Sequence, residues 1–353
     1  GEVHQITRTR PSYLVIDEAH CIDRWGNDFR PNYGRLGAIR HALGNPPVLA
    51  FTATAGARGQ RRILKSLGIP DARVIVTGVN RPNIKFVRVP DPNVRDARRK
   101  ADARFALIRR LLWVMPEGRA MLFVPTVKAG EQLQEGLRRV GVDVPFFHSK
   151  LGTANERDML LGRFTGRLNP PVRVIICTNA FGMGLDLPDV RLVIHWQHPA
   201  SVEDYLQEFG RAGRDGKLSV AVTFVGERDE SLLRFMAEKT ADMAGGDAES
   251  KASALAAKFR AIEDMRRIAT SMESCVRDDV MEYFGESTET RRKSLAMRIV
   301  ERLVSRPTRL RQTQFCCDRC DGVYVDNADD IVHWAAGIFA QERPRRFLRR
   351  SWR

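Results

Sequence analysis

Alternation of short apolar strands with helices is the feature that most restricts the fold of this 353-residue chain. Four strands are predicted at 120–124, 172–177, 192–195 and 220–225, with helices near 131–140 and 155–164 between them. This order is typical of a parallel sheet covered by helices on both faces, whose ligands bind where the strands end. The fold class is therefore α/β, and polar motifs should gather at one edge of the sheet.

An earlier strand ends in a pair of carboxylates. Tyr13–Ile16 is predicted to be a buried strand, and Asp17-Glu-Ala-His20 follows it. Asp17 can hold Mg²⁺ against the β- and γ-phosphates of a nucleotide, and Glu18 can orient or deprotonate the attacking water. His20 is placed to sense another domain. For this motif alone, an acidic strand end without a catalytic role is the alternative.

The next strand, Val48–Phe51, ends in Thr52-Ala-Thr-Ala55, and a helix is predicted from about 58 to 67. The hydroxyls of Thr52 and Thr54 can relay the state of a nucleotide to the rest of the chain.

The strand that ends at Cys177 is followed by Thr178-Asn-Ala-Phe-Gly-Met-Gly-Leu-Asp186. Glycines such as Gly184 allow close approach of the backbone to a ligand. Asp186 can serve as a polar partner for a ribose or for an arginine.

The segment 207–216, Gln-Glu-Phe-Gly-Arg-Ala-Gly-Arg-Asp-Gly, places Arg211 and Arg214 three residues apart, which predicts one face of a helix. Two such arginines can reach a γ-phosphate from a facing domain and spread its transition-state charge, and arginine suits bidentate phosphate contact. A surface salt bridge on a glycine-rich turn is the alternative.

The order of the motifs DEAH, TATA, NAFGMGLD and QEFGRAGRDG resembles that of superfamily 2 helicases. The residues within these motifs resemble the RecQ family specifically. The diagnostic stretch is Cys21-Ile-Asp-Arg-Trp-Gly-Asn-Asp-Phe-Arg-Pro-Asn-Tyr33, which is similar to an aromatic-rich loop of that family. Val79-Asn-Arg-Pro-Asn83, His148-Ser149 and Met281-Glu-Tyr-Phe-Gly-Glu286 also match. The resemblance runs from about residue 13 to 321.

The resemblance implies two RecA-like domains, the first partial, at 1–80 and 81–228, then a helical zinc-binding module at 229–325 and a basic tail at 326–353. It implies a 3′–5′ DNA helicase that uses ATP, Mg²⁺ and Zn²⁺, with Gly184, Asp186 and Gln207 at the nucleotide. Single-stranded DNA and duplex junctions are the expected partners, without a membrane. The expected location is cytoplasmic, associated with a bacterial nucleoid.

The aromatic loop also has a physical rationale. Trp25 and Phe29 offer faces on which bases can stack, and Arg24 and Arg30 can contact phosphates. Glycine, asparagine and proline neighbours favour a loop over the alternative of a core position for the aromatic side chains. Strand occupancy could pass from this loop to the adjacent carboxylates.

Cys317-Asp-Arg-Cys320 is a C-x₂-C pair, and Cys275 lies 42 residues upstream at a predicted helix start. In the family, four thiolates at such positions bind zinc; here Cys275, Cys317 and Cys320 match three of them. Gln314 occupies the second position, and Cys316 is the obvious substitute. Four thiolates would satisfy structural zinc, whereas three plus water would suggest a weaker site.

No P-loop string G-x-x-x-x-G-K-[S/T] occurs in the 353 residues. In the family this element lies upstream of the DEAH strand, and Gly1 in place of methionine favours a fragment. We therefore expect this chain alone to hydrolyse almost no ATP.

Charge discriminates less well between functions. The net charge of +15 and the pI near 10.1 suggest a polyanionic partner, although a solvated basic face would give the same charge. A non-catalytic DNA-binding protein that retains the shape of a motor is one alternative function, and an RNA helicase is another.

Overall fold

The computed structural model describes residues 11–23, 31–76, 78–115, 117–178, 181, 185–242, 248–286 and 316–341. Within these ranges no helix is both long and apolar enough to cross a membrane.

The first part of the chain forms a two-stranded parallel sheet, in which Leu14 pairs with Val48 and Ile16 with Ala50. Its elements in chain order are β1 (Leu14–Ile16), α1 (His20–Asp23), a 3₁₀ turn (Pro31–Arg35), α2 (Leu36–Ala42), β2 (Val48–Ala50) and α3 (Ala57–Ser66).

The helices of this part cover one face of the sheet. Ile16 packs with Ile63 and Leu67, whereas Tyr13 and Val15 are 62% and 61% exposed. The prediction of a buried strand at 13–16 is therefore right for Ile16 and wrong for Tyr13 and Val15, because alternate side chains of a strand point to opposite faces.

The second sheet has six parallel strands in the order β3-β8-β7-β4-β6-β5. The strands and their helices are β3 (Ile84–Pro90), α4 (Ala97–Val114), β4 (Arg119–Phe123), α5 (Val127–Arg139), β5 (Phe146–Phe147), α6 (Ala154–Thr165), β6 (Val174–Cys177), β7 (Val190–His195), α7 (Val202–Phe209) and β8 (Ser219–Val225). The predicted α/β class is confirmed. Apolar side chains of these strands are buried on both faces of the sheet.

Three helices follow the second sheet: α8 (Asp229–Asp242), α9 (Ala248–Thr270) and α10 (Val276–Tyr283). Ile262 and Met265 of α9 are buried. Met265 joins the core beneath the sheet together with Val280 of α10. The helical region is thus continuous with the core of the second sheet.

A buried arginine of β3 also bonds the helical region to the second sheet. Arg88 of β3 is 1% exposed, and its Nε and Nη2 donate to Asp318 at 3.0 and 3.1 Å. The same guanidinium donates to the carbonyls of Ile268 and Ser274 at 3.3 and 3.0 Å, and to that of Ser271. Removing one partner of a buried, hydrogen-bonded charge pair would be strongly destabilising.

The last described elements are α11 (Asp318–Asp321) and α12 (Ala328–Ala340). The interpretation of 326–353 as a basic tail is wrong for α12, because Trp334, Ile338 and Phe339 lie in the core against α4 and β8. Its apolar positions recur at helical spacing, a signal that the arginines near the C-terminus obscured.

Asp229, at the start of α8, is a buried carboxyl whose pKa differs between the folded and the unfolded chain. Its Oδ2 accepts a hydrogen bond of 2.7 Å from the Gly226 amide, and burial raises its pKa to about 6. A carboxyl whose pKa is raised on folding contributes stability that is complete below about pH 4 and lost as the pH rises through about 6.

Asp229→Asn should therefore gain stability relative to the wild type between about pH 4 and 7, by about 2 to 3 kcal/mol. Denaturant unfolding of both proteins across this range measures the difference, and a difference independent of pH would contradict the expectation. Asp329→Asn, at a position 74% exposed, is the control.

Candidate functional site

The two carboxylates predicted to handle a nucleotide lie directly after β1. The Glu18 amide donates to Asp17 Oδ1 at 2.8 Å, and Asp17 is exposed. Glu18 has a φ of 51°, a left-handed backbone conformation that costs a residue other than glycine about 1 kcal/mol. That backbone turns the chain sharply between the strand and α1, and such strained positions cluster at functional sites.

His20 connects the carboxylates to the end of β2. Its Nδ1 lies 3.2 Å from Glu18 Oε2 and 3.1 Å from Thr52 Oγ1. The Thr54 amide donates to Thr52 Oγ1 at 3.3 Å, and the Thr54 hydroxyl is buried without a hydrogen-bond partner among the described residues. The structure thus brings the DEAH and TATA motifs together at the carboxyl ends of β1 and β2.

The two arginines lie on a turn, so the prediction of a shared helical face is wrong. Helix α7 ends at Phe209, and residues 210–215 form turns in which Gly213 has a φ of 54°. Gly213 is required there, because a Cβ would lie within 3 Å of three neighbouring atoms. We refer to residues 210–216 as the arginine turn.

The side chains of the arginine turn have different surroundings. Arg211 is 8% exposed, and burial lowers its pKa while the Glu18 carboxylate acts in the opposite direction. Arg214 is more exposed, and its Nη1 lies 3.1 Å from Asp186 Oδ1. Asp186 thus contacts an arginine, one of its two predicted partners. Gln207 is half-buried on α7.

Two residues that sequence reasoning did not single out hold the arginine turn. Arg81 donates to the carbonyl oxygens of Gly210, Ala212 and Gly213 at 3.1, 2.9 and 3.0 Å. Asn83 Nδ2 donates to the Gly213 carbonyl at 2.8 Å. Their signal in the sequence was the match to Asn-Arg-Pro-Asn, which gives no information about what these side chains contact.

Several predicted site residues lie outside the described part of the chain: Arg24, Trp25, Phe29, Arg30, Gly184 and Gln314. The roles assigned to the first five remain predictions.

The structure brings four cysteines together, and we call Cys275, Cys316, Cys317 and Cys320 the cysteine cluster. Their sulfur atoms all lie within 4.8 Å of one another. Cys275 Sγ is 3.7 Å from Cys316 Sγ and 3.8 Å from Cys317 Sγ. A zinc ion at about 2.3 Å from four sulfurs separates them by about 3.8 Å. The spacing of these thiols fits a tetrahedral ion.

Neighbouring groups fix the cysteine cluster from several sides. Phe86 of β3 forms a bridge with Cys317, so the cluster extends the edge of the second sheet. The Cys316 amide donates to Asp321 at 3.0 and 3.1 Å, and Trp334 Nε1 of α12 donates to the same carboxylate at 2.9 Å.

The electrostatic surroundings of the cluster favour a thiolate at Cys316. Hydrogen bonds from Cys275, Cys317 and Cys320 hold the pKa of Cys316 well below that of an ordinary thiol, and Arg277 acts in the same direction. Arg277 Nε lies 3.5 Å from the Cys316 sulfur. A cationic partner suits a site in which four thiolates and a zinc ion leave a net charge of about −2.

Comparison with known proteins relates the chain to helicases. Residues 103–216 match the family model "Helicase conserved C-terminal domain". The probable ATP-dependent DNA helicase RecS of Bacillus subtilis is 41% identical over 212 residues, which is 60% of this chain and 40% of that protein. The ATP-dependent DNA helicase RecQ of Pasteurella multocida is 33% identical over 80% of this chain and 41% of that protein. The chain thus spans about two fifths of the length of these relatives.

A solved structure has the same fold. Dbp5 of Saccharomyces cerevisiae, bound to RNA and ADP BeF₃, superposes with a TM-score of 0.50 at 22% identity, over 73% of this chain and 67% of that one. This similarity supports the arrangement of parallel sheets and helices, which is of the RecA-like type.

Proposed function

We propose, from the premise that this chain is a RecQ-type superfamily 2 helicase chain, that it forms part of a motor in which ATP hydrolysis drives 3′–5′ separation of DNA strands. The observation that carries the proposal is the contact of the His20 ring with Glu18 and Thr52, which joins the DEAH and TATA motifs at the carboxyl ends of β1 and β2. A carboxylate that positions water and an arginine that stabilises the phosphoryl oxygens are groups that phosphoryl transfer to water requires.

Each group has a defined task in this proposal. Asp17 holds Mg²⁺ near the β- and γ-phosphates, and Glu18 orients the water that attacks the γ-phosphorus. Arg211 and Arg214 stabilise charge on the phosphoryl oxygens, where a buried guanidinium such as that of Arg211 acts with little screening by solvent. The contact from His20 to Thr52 links the hydrolytic residues to the end of β2.

The cysteine cluster is proposed to bind structural zinc through four thiolates, with Cys316 as the ligand that replaces the family's second cysteine. The sulfur spacing and the cationic neighbour support this assignment. Zinc would fix the relative positions of α10 and the segment 316–321.

DNA is the proposed nucleic acid, as single strands and duplex junctions, with Arg24, Trp25, Phe29 and Arg30 as stacking and phosphate-binding residues. The DNA helicases among the relatives support this choice. The absence of a P-loop string from the 353 residues leads us to propose that this stretch alone hydrolyses almost no ATP.

The test is the ATPase rate of the full-length protein with and without nucleic acid. We expect single-stranded DNA to stimulate hydrolysis more than single-stranded RNA of the same length, and Glu18→Gln to abolish the stimulated rate. Stronger stimulation by RNA would indicate an RNA helicase. DNA binding without any hydrolysis by the full-length wild type would indicate a non-catalytic DNA-binding protein.

A further inference from the structure

Arg277 of α10 joins the cysteine cluster to the segment that connects the two sheets. Its Nε lies 3.5 Å from Cys316 Sγ. Its Nη1 donates to Asn80 Oδ1 at 2.9 Å and to the Arg81 carbonyl at 2.8 Å, and its Nη2 donates to the Ile84 carbonyl at 2.6 Å. One planar guanidinium therefore contacts a cysteine sulfur at one edge and the connecting segment at the others.

Arg81, in that segment, continues the contacts in the opposite direction. While its own carbonyl accepts from Arg277, its guanidinium donates to the carbonyls of Gly210, Ala212 and Gly213. These three residues flank Arg211 in the chain. The sulfur of Cys316 is thus connected to the backbone that carries Arg211 through the contacts of Arg277 and Arg81.

We propose that Arg277 and Arg81 are positioning residues through which metal occupancy of the cysteine cluster sets the position of Arg211. The proposal rests on the proposed function, because Arg211 acts on the phosphates only in a hydrolytic motor. In this arrangement zinc does more than stabilise a small module, since its presence is transmitted to the arginine turn.

The geometry of the contacts explains how a change could be transmitted. A bound zinc ion would hold the Cys316 sulfur in place, whereas a free thiol can rotate away from Arg277. Arg277 has rigid, directional donors and four partners, so a displacement at one edge disturbs the bonds at the others. At the far end, a shift of about 1 Å in a group that contacts a reacting phosphate can lower a rate about 100-fold.

A purely structural role for the two arginines predicts a different result. In that case the loss of Arg277 would lower the stability of the whole domain, and exchange of all its amides would rise together. Transmission to the arginine turn instead predicts a local effect on the amides of residues 210–213, 215 and 216. These amides donate to the carbonyls of Leu206, Glu208, Phe209, Val190, Pro188 and Gly213.

The first experiment is hydrogen exchange of the zinc-loaded full-length protein carrying Arg277→Ala. We expect about one zinc per chain to be retained, since the four thiols are intact. Exchange in a peptide covering 207–217 should be at least about tenfold faster than in the wild type, with little change in β4 and β6.

Arg104→Lys is the matched control, because Arg104 is buried in the same domain but bonds to Asp91 and Trp196, away from the cluster and the turn. Faster exchange at 207–217 in Arg277→Ala but not in Arg104→Lys supports the proposal, and equal exchange in both overturns it. If Arg277→Ala does not fold, Asn80→Ala and Arg277→Lys take its place, each expected to give a smaller increase at the same peptide.

Zinc removal tests whether the metal and Arg277 act on the arginine turn through the same series of contacts. Chelation of the wild type should raise exchange at 207–217 as Arg277→Ala does, and chelation of the variant should add little, because both changes interrupt the same series of contacts. Additive effects of chelation and substitution would overturn the proposal.

The second experiment measures steady-state ATP hydrolysis. Arg277→Ala should lower kcat at least about tenfold while KM for ATP changes much less, and Arg277→Lys should recover part of the loss. Unchanged kcat in Arg277→Ala would overturn the proposal. Absence of hydrolysis in the wild type would instead overturn the proposed function, while the exchange measurements would still test the physical connection.

Discussion

Arg211→Ala in the full-length protein is expected to lower kcat for ATP hydrolysis by about 10³-fold or more, because a guanidinium that meets a transferring phosphoryl group contributes this much. Arg211 is 8% exposed and within electrostatic reach of Glu18, so no solvent-exposed cation can replace it easily. Single-turnover hydrolysis with saturating DNA measures the effect on the chemical step.

Two control substitutions sharpen this prediction. Arg214→Ala should have a smaller effect, since Arg214 is partly exposed and pairs with Asp186. Arg163→Ala, on α6, removes a guanidinium whose Nε donates to the Pro170 carbonyl at 2.8 Å, and it should leave kcat unchanged. A loss in Arg211→Ala no larger than in Arg163→Ala would remove Arg211 from the mechanism.

Cys316→Ser should abolish stoichiometric zinc binding and lower the free energy of unfolding by about 4 kcal/mol or more, as losses of structural metals do. For a domain of this size that corresponds to a decrease in Tm of about 10 °C. The physical reason is the tetrahedral spacing, in which Cys316 provides one of four sulfurs. Metal analysis and thermal unfolding measure the two effects.

Cys21→Ser is the control, because Cys21 lies on α1, far along the chain from the cluster, and should retain zinc. If Cys316→Ser bound zinc as tightly as the wild type, the ion would have three cysteine ligands and a fourth from elsewhere. In that case Cys317→Ser and Cys320→Ser should still lose the metal.

The parallel sheets and their motifs could be predicted because the signals are local. Each predicted strand is a short, largely apolar run, and the first three polar motifs directly follow a strand, as Asp17 follows Ile16. Strand β3 was not predicted, because Lys85 and Arg88 interrupt its apolar run. The prediction that Arg211 and Arg214 share a helical face is wrong because α7 ends at Phe209, before either arginine. Gly210 and Gly213 interrupt the helix, and the positive φ of Gly213 has no place in one.

The contacts around the site could not be predicted because they join residues far apart in the chain. Arg81 bonds to carbonyls about 130 positions downstream, and Arg277 bonds back to residues about 195 positions upstream. Backbone carbonyls leave no trace in the identity of the residues that carry them. Cys316 was inferred as a substitute ligand from the sequence, and its sulfur lies 3.7 Å from that of Cys275.

The location of residues 316–341 has a consequence for the integrity of the chain. This segment bridges to Phe86, pairs with Arg88 through Asp318, and buries α12 against α4. Non-covalent contacts therefore hold this segment against the second sheet, in addition to its covalent link to the rest of the chain. A backbone cut between 287 and 315 should leave two pieces that copurify, and the shorter piece, added in trans, should restore the sheet edge it had occupied.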